Sequence, residues 1–148
     1  MQPLIETVDL KKYFKVGSSQ LHAVDGVNLQ IPKGTTLGVV GESGCGKSTL
    51  GRTILGLQPA TSGQVLYKGR DITKMRGAEQ RKLRREIQII FQDPYSSINP
   101  RHSISRIIGE PIWVNGLVRR KSELEKRVRE LMDIVGLAPR LYDAYPHE

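Results

Sequence analysis

The sequence predicts an α/β fold, and three features support this prediction. Segments in which apolar and polar residues alternate lie on both sides of an apolar run that does not alternate, which indicates strands with different environments. The glycine-rich stretch GESGCGKST joins that apolar run to a segment with helical character. From Ile104 onward the apolar residues follow helical spacing, which predicts a helical region in the last third of the chain.

Five segments predict strands. Alternation in LIETVDL, LHAVDGVNLQI and GQVLYKG is typical of strands with one buried face, and TSG and GRD supply turn residues around the third. We expect these three strands to be antiparallel. The runs TTLGVVG and IQIIFQ are apolar without this alternation, and they predict strands that are buried on both faces, as in a parallel sheet.

Two helices are predicted in the first two thirds of the chain. The first runs from about Lys47 to Leu55, because Gly56 is typical of a helix end and Pro59 follows shortly. The second covers AEQRKLRRE. The segment DPYSSINPRHS consists of turn residues, and it predicts a loop.

Two more helices are predicted after residue 103. A short one through ISRIIGEPIWVNG is expected to bend or stop near Pro111. In the other, Ser122 and Glu125 match a capping box and Gly136 marks the end. Its apolar face is formed by Leu124, Val128, Leu131, Met132 and Val135. Together with Trp113 this stripe predicts the core of a small helical subdomain, and a surface for docking a partner is the alternative.

Charge and composition limit the compartment and the partners. The net charge is +8, but the basic residues of RKLRRE and RRKSELEKRVRE alternate with acids at helical spacing, which favours solvated helix faces over a nucleic-acid surface. No apolar run reaches the roughly 18 residues that a spanning helix needs. Cys45 is the one cysteine, which fits a reducing compartment. We therefore expect a cytoplasmic chain with no nucleic-acid partner.

The glycine-rich stretch predicts a phosphate-binding loop. Gly41, Gly46, Lys47 and Ser48 fit the P-loop pattern G-x-x-x-x-G-K-[ST] between a predicted strand and a predicted helix. Glycines let successive backbone N–H groups point into one concavity at a helix N-terminus, where an anion binds. The alternative is a glycine-rich turn with an incidental lysine.

Each position of this loop has an expected role. Lys47 would reach the β- and γ-phosphates, the Ser48 hydroxyl would ligate Mg²⁺, and Thr49 would add a donor. Cys45 has a thiol at a helix N-terminus, where a reactive thiol is the alternative, but we interpret it as a small residue in a tight loop. The expected nucleotide-binding positions of the loop are Gly41, Ser43, Gly44, Cys45, Gly46, Lys47, Ser48 and Thr49.

The sequence around the loop resembles a known family. The run from HAVDGVNLQIPKG to SGQVLYKGRDI is similar to the ATP-binding subunits of ABC transporters. IQIIFQDPYSSINPR resembles the Q-loop segment of the branch that imports dipeptides, oligopeptides or nickel, and LYDAYPHE is similar to the residues just before the ABC signature. This resemblance implies an ABC-type ATPase core, incomplete, with an antiparallel β subdomain and a helical subdomain. It implies domains at 1–103 and 104–148.

The resemblance also implies ligands and further site residues. ATP and Mg²⁺ are the expected cofactors, and Gln92 matches the Q-loop glutamine, which touches Mg²⁺ and the attacking water; a polar residue that caps its own turn is the alternative. Tyr13 matches the aromatic residue that stacks on adenine, with Phe14 as its competitor and a core aromatic as the alternative. Lys47 and Gln92 are thus the expected catalytic residues, and Ser48 and Gln92 the expected metal ligands.

The family's remaining motifs are absent from the sequence. It contains no LSGGQ signature, no apolar strand that ends in Asp-Glu, and no switch histidine. The family resemblance therefore implies an N-terminal fragment whose predicted parallel strands lack a neighbour, so that they rearrange, self-associate or stay poorly ordered. Without the carboxylate, no residue polarises the attacking water, and we expect weak nucleotide binding without turnover.

Two functions of different classes follow from the sequence. In the first, the parent protein binds MgATP between two ATP-binding subunits and drives import of dipeptides or oligopeptides. It would lie on the inner face of the membrane against permease subunits, with an extracytoplasmic substrate-binding protein as an indirect partner. In the second, the helical half is a noncatalytic module that docks transmembrane partners. Another ABC-type ATPase is a more distant alternative.

Overall fold

The structure is a computed structural model, and it describes residues 2–148. The chain divides into two compact units, one ending at Ile89 and the other running from Ile90 to Glu148. The predicted domain boundary at residues 103 and 104 stays a prediction. Each unit has its own core.

The first unit contains a four-stranded antiparallel sheet. Its strands are β1 (Ile5–Val16), β2 (Ser19–Ile31), β3 (Ser62–Tyr67) and β4 (Arg70–Asp71), and their order across the sheet is β2-β1-β3-β4. The three predicted alternating strands are therefore confirmed as antiparallel neighbours, with β1 extending further than its sequence pattern indicated. The β1–β2 register shifts between Thr7 and Tyr13, so that alternation alone does not fix which side chains share a face.

Two helices belong to the first unit. Helix α1 (Lys47–Ile54) and helix α2 (Gly77–Glu86) match the predicted helices within one residue at each end. Gly56 follows α1 with φ +68°, as expected of a glycine after a helix end. The core of the unit is formed by Leu10, Val24, Val65, Ile72 and Met75, and Leu50 and Ile54 of α1 pack against it.

The two predicted parallel strands do not form. The segments 35–41 and 87–92 have no strand pairing within residues 2–148, and Val40 and Ile90 are 93% and 94% exposed. A strand buried on both faces needs neighbours from distant parts of a chain, and none of the residues 2–148 pairs with these segments. The prediction that they are buried strands is wrong for this chain.

The second unit is helical. Helix α3 (Ile104–Val114) and helix α4 (Lys121–Ile134) pack around Ile112, Val128 and Met132, with a short 3-10 helix at Pro139–Leu141. Residues 93–103 form turns before α3, which confirms the predicted loop. Gly136 follows α4 with φ +73°.

Two predictions about these helices are wrong. Helix α3 includes Pro111 and ends three residues beyond it, at Val114, and the expected bend near this proline stays a prediction. Helix α4 begins one residue before Ser122, with Arg120 at its N-cap position, and no side chain caps it. Trp113 is 46% exposed and does not belong to the core, where its neighbour Ile112 lies instead.

The predicted apolar stripe of α4 gives a test of the second core. Val128 is fully buried, whereas Val135 is 68% exposed. We expect Val128→Ala to lower the free energy of unfolding of this unit by about 2 kcal/mol, because it leaves a cavity, and Val135→Ala to change it by less than about 0.5 kcal/mol. Urea denaturation followed by the fluorescence of Trp113, the one tryptophan of the chain, measures both. Equal effects of the two substitutions would contradict this packing.

Candidate functional site

The glycine-rich loop leads directly into helix α1. Gly46 is the N-cap residue with φ +99°, and no side chain caps the helix. The Leu50 N–H donates to Gly46 O at 2.8 Å, and the N–H groups of the preceding turn are those that a helix leaves without an intrahelical acceptor. The helix therefore begins with a set of backbone donors at the positive end of its dipole.

Two glycines of the loop lie close to other atoms, and at Gly46 these atoms belong to the backbone. A Cβ on Gly46 would approach the carbonyl oxygen of Ala23 in β2 to 2.2 Å, and a Cβ on Gly41 would approach Cys45 Sγ to 2.7 Å. The loop backbone thus lies directly against β2 at Ala23. Only glycine allows this approach together with the positive φ of Gly46.

The Lys47 ammonium folds back over the start of the loop. Nζ donates to Gly41 O at 2.7 Å and to Glu42 O at 2.6 Å, and it lies 3.6 Å from Cys45 Sγ. Within residues 2–148 its hydrogen-bond acceptors are carbonyls and one thiol, and it forms no ion pair with a carboxylate. The positive charge of Lys47 is therefore held at the loop by neutral dipoles, and it is available to an anion.

The other residues of the predicted loop site lie in the same glycine-rich loop or in the first turn of α1. Cys45 is exposed, and its N–H donates to Glu42 O at 3.3 Å. Gly44 has φ +79°. Ser43 and Ser48 are exposed, and Thr49 is half-buried. The structure thus places Gly41, Ser43, Gly44, Cys45, Gly46, Lys47, Ser48 and Thr49 together in one loop and helix start, as their positions in the sequence require.

Gln92 belongs to the other compact unit. It is exposed in a bend rather than at the end of a strand. The loop that follows is held by Asp93, whose Oδ1 accepts from the Tyr95 N–H at 3.1 Å and whose carbonyl accepts from Ser96 Oγ at 3.1 Å. The expected metal and water contacts of Gln92 stay predictions.

Tyr13 and Phe14 lie on opposite faces of the sheet. They are consecutive residues of β1, where Tyr13 pairs with His22 and Phe14 pairs with Leu21 without a register shift, and successive side chains of a strand alternate between faces. The Tyr13 ring stacks on the His22 imidazole, with 3.8 Å between ring centroids and 11° between planes. Its hydroxyl donates to Asp25 Oδ1 at 2.5 Å.

The hydrogen bond between Tyr13 and Asp25 has an electrostatic consequence. It raises the pKa of the Tyr13 hydroxyl above 10.0, and it lowers the pKa of the Asp25 carboxyl below 3.8. His22 Nδ1 lies 3.5 Å from the other oxygen of Asp25. Tyr13, His22 and Asp25 therefore form a linked polar cluster on one face of the β1–β2 hairpin.

Phe14 lies on the face that packs against α1. Val24 is buried in the core against Leu50 and Ile54, and its cross-strand partner Lys12 therefore lies on the same face. The Lys12 ammonium is 5.0 Å from the centroid of the Phe14 ring, which places Phe14 there too. The choice of Tyr13 as the base-stacking residue stays a prediction, and the register favours Phe14.

Sequence reasoning missed Lys12 and the cluster around Tyr13. The cluster around Tyr13 is not visible without the strand register, because the shift between Lys12 and Tyr13 changes which residues of β2 lie opposite them. The K-x-F spacing of Lys12 and Phe14 was the available signal, since residues two apart in a strand point to the same face.

Comparison with known proteins identifies the family. The sequence profile described as ABC transporter matches residues 24–147. The chain belongs to the ABC transporter family.

Characterised relatives of this ABC transporter chain are longer than it is. It is 46% identical to the oligopeptide transport ATP-binding protein OppF of Salmonella typhimurium, over 98% of the chain and 46% of that protein. It is 41% identical to the dipeptide transport ATP-binding protein DppF of Escherichia coli, over 99% of the chain and 45% of that protein. The chain spans about half the length of these relatives.

A solved structure shows the same architecture. The ATP-binding cassette MJ0796, in a dimeric post-hydrolysis state bound to ADP and Pi, matches with a TM-score of 0.83 and 26% identity. The match covers 97% of this ABC transporter chain and 62% of the other. The predicted α/β fold with the core of an ABC ATPase is confirmed by this similarity, and the core is partial.

The close contact at Gly46 gives a test of the loop. Gly46→Ala would place a Cβ against Ala23 O at a positive φ, and we expect it to lower the free energy of unfolding of the first unit by about 2 kcal/mol or more. Gly51 lies inside α1 with open space around its Cα, so Gly51→Ala should raise that free energy by up to about 1 kcal/mol. Urea denaturation followed by circular dichroism compares them. A Gly46→Ala protein as stable as Gly51→Ala would refute the contact.

Proposed function

We propose that this chain is the nucleotide-binding part of an ATP-binding subunit in an importer of oligopeptides or dipeptides. The observation that carries the proposal is the loop at residues 41–49. There the uncapped start of α1 lies against β2, and the ammonium of Lys47 lies over the loop without a carboxylate partner among residues 2–148. Backbone donors at a helix N-terminus and a lysine are what a polyphosphate requires. The names of the relatives supply the transported class.

The loop residues divide the binding of MgATP among them. The N–H groups of residues 43–49 cradle the phosphates, and Lys47 moves from the carbonyls of Gly41 and Glu42 to the β- and γ-phosphates. Its three donors allow this exchange without losing all of its present partners. The Ser48 hydroxyl would supply a protein ligand to Mg²⁺, which would neutralise phosphate charge.

A magnesium site of this kind fits the residues that are present. In residues 2–148 no group of three or more His, Cys, Asp or Glu side chains could hold a metal ion. Mg²⁺ keeps several water ligands and binds through few protein groups together with substrate phosphates. One exposed hydroxyl at Ser48, beside the phosphate cradle, is therefore enough to supply a protein ligand.

The whole protein would act at a membrane. Among residues 2–148 no helix is both long and apolar enough to cross a bilayer, so we propose that membrane association comes from permease subunits. A second ATP-binding subunit would complete the site, and a substrate-binding protein would deliver the peptide from outside. We propose that the 148-residue chain alone binds nucleotide weakly and does not turn it over, because its sequence has no Asp-Glu strand end to activate water.

Partner docking is the second candidate function, and one observation favours it. Trp113 is 46% exposed and Val114 is 75% exposed at the end of α3. Aromatic residues exposed beside aliphatic ones are typical of contact surfaces. A docking module without nucleotide chemistry would show no MgATP binding that depends on Lys47. The nucleotide titration described next therefore separates the two functions.

A nucleotide titration tests the main proposal. We expect the chain to bind MgATP weakly by isothermal calorimetry, and Lys47→Ala to weaken binding about tenfold or more, because a charge-assisted bond to phosphate is lost. Lys33→Ala, at an exposed lysine in the turn after β2, is the matched control and should bind as the unsubstituted chain does. Absence of a signal that depends on Lys47 would refute nucleotide binding, and ATP turnover that depends on Lys47 would refute the inactivity of the chain alone.

The two faces of β1 give a second test. A base stacked on an aromatic ring contributes about 1–3 kcal/mol, so that Phe14→Ala should weaken MgATP binding about tenfold. Tyr13→Ala should change it less than about twofold, since that ring is occupied by His22 and lies on the other face. Both variants are compared in the same titration, after circular dichroism has shown that they are folded. The reverse order of effects would establish Tyr13 as the base-stacking residue.

A further inference from the structure

Lys12 is a cation on the α1 face of the sheet that lacks a carboxylate partner. Its neighbour Lys11 forms an ion pair with Asp9 at 3.2 Å. No carboxylate of residues 2–148 lies within ion-pair distance of Lys12, and its ammonium lies instead over the Phe14 ring. A cation held by an aromatic face is easily transferred to an anion, because the interaction with the ring is weak at a site that water can reach.

The backbone places Lys12 close to the phosphate-binding loop. Lys12 pairs with Val24 across the β1–β2 ladder, and the residue before Val24 is Ala23, whose carbonyl faces Gly46 at the start of α1. Neighbouring strands are about 4.8 Å apart. The Lys12 backbone is thus separated from the residue that contacts the loop by a single strand spacing.

The charges of the loop leave one part of a nucleotide without a cation. Lys47 is held over the start of the loop, where it serves the terminal phosphates. The α-phosphate, next to the ribose, carries a charge of its own and lies toward the base. With the base on Phe14, the ammonium of Lys12 is close to the nucleotide, because it now covers the same ring.

We propose that Lys12 is a nucleotide-binding residue whose ammonium contacts the α-phosphate of a nucleotide stacked on Phe14. This inference rests on the proposed function. In the free chain the ammonium covers the Phe14 ring, and an arriving base displaces it from the ring toward the phosphate. Lys12 therefore contributes to affinity through charge, and it acts on the phosphate next to the ribose, whereas Lys47 acts on the β- and γ-phosphates.

Three ligands distinguish charge at the α-phosphate from contact with the base. Adenosine has no phosphate, AMP has only the α-phosphate, and MgATP has all three. We expect Lys12→Met, which keeps an unbranched apolar side chain and removes the charge, to weaken AMP and MgATP by about fivefold, as a partly exposed ion pair does. Adenosine should bind no more weakly to Lys12→Met than to the unsubstituted chain, because its base has no ammonium to displace from the Phe14 ring, and Lys12→Arg should restore AMP affinity.

Lys15→Met is the matched control. Lys15 lies on the same strand, three residues further on, and it pairs with Gln20 at the exposed end of the hairpin. We expect Lys15→Met to leave the affinities for adenosine, AMP and MgATP unchanged. The loss of AMP affinity caused by Lys12→Met should become smaller as the KCl concentration is raised, because salt screens the charge. The affinities of the weakly binding ligands can be measured by saturation-transfer difference NMR spectroscopy. Equal weakening of adenosine and AMP, or no effect of Lys12→Met on AMP, would overturn the inference.

Failure of this inference and failure of the proposed function give different results. If MgATP binds with the expected dependence on Lys47 while Lys12→Met binds AMP normally, only the role of Lys12 is refuted. If MgATP shows no binding that depends on Lys47, the proposed function itself is refuted, and the Lys12 inference is refuted with it.

Discussion

The contact between the backbone of Gly46 and the carbonyl of Ala23 is the constraint on which the candidate site depends. It fixes the start of α1 against β2, and it permits no side chain at Gly46. Because α1 also packs Leu50 and Ile54 onto the sheet core, the direction of the helix dipole and the position of the loop donors are set by the antiparallel sheet. The phosphate-binding geometry is thus a property of the hairpin β1–β2 as much as of the loop itself.

Local signals predicted the elements that depend on nearby residues. Helix α1 with Gly56, the alternating strands β1 to β3, and helix α4 with Gly136 all follow from turns, caps and periodicity within about fifteen residues. The segments 35–41 and 87–92 have equally strong apolar patterns but form no strand pairs within residues 2–148. A strand in the middle of a sheet is stabilised by its neighbours, so composition alone cannot establish that it forms. The capping box predicted at Ser122 does not form, because the start of a helix can shift by one or two residues at little cost.

The site was predictable where its residues are consecutive and not where they come together across strands. The loop from Gly41 to Thr49 is contiguous in the sequence, and the P-loop pattern locates it. The choice between Tyr13 and Phe14 depends on the irregular pairing at Lys12, Tyr13 and Ala23, and an irregular register inverts the faces that alternation would assign. The same irregularity produces the stacked pair of Tyr13 and His22.

The unpaired segments 35–41 and 87–92 expose apolar side chains, so the solubility of this chain depends on its net charge. Val39 and Val40 in one unit and Ile90 and Phe91 in the other leave apolar side chains in contact with water, and such patches attract copies of one another. A net charge of +8 opposes that attraction by mutual repulsion. Dissolved ions shorten the range of this repulsion to about 8 Å at physiological ionic strength and leave the attraction intact. The colloidal stability of the chain therefore declines as the ionic strength of its medium rises.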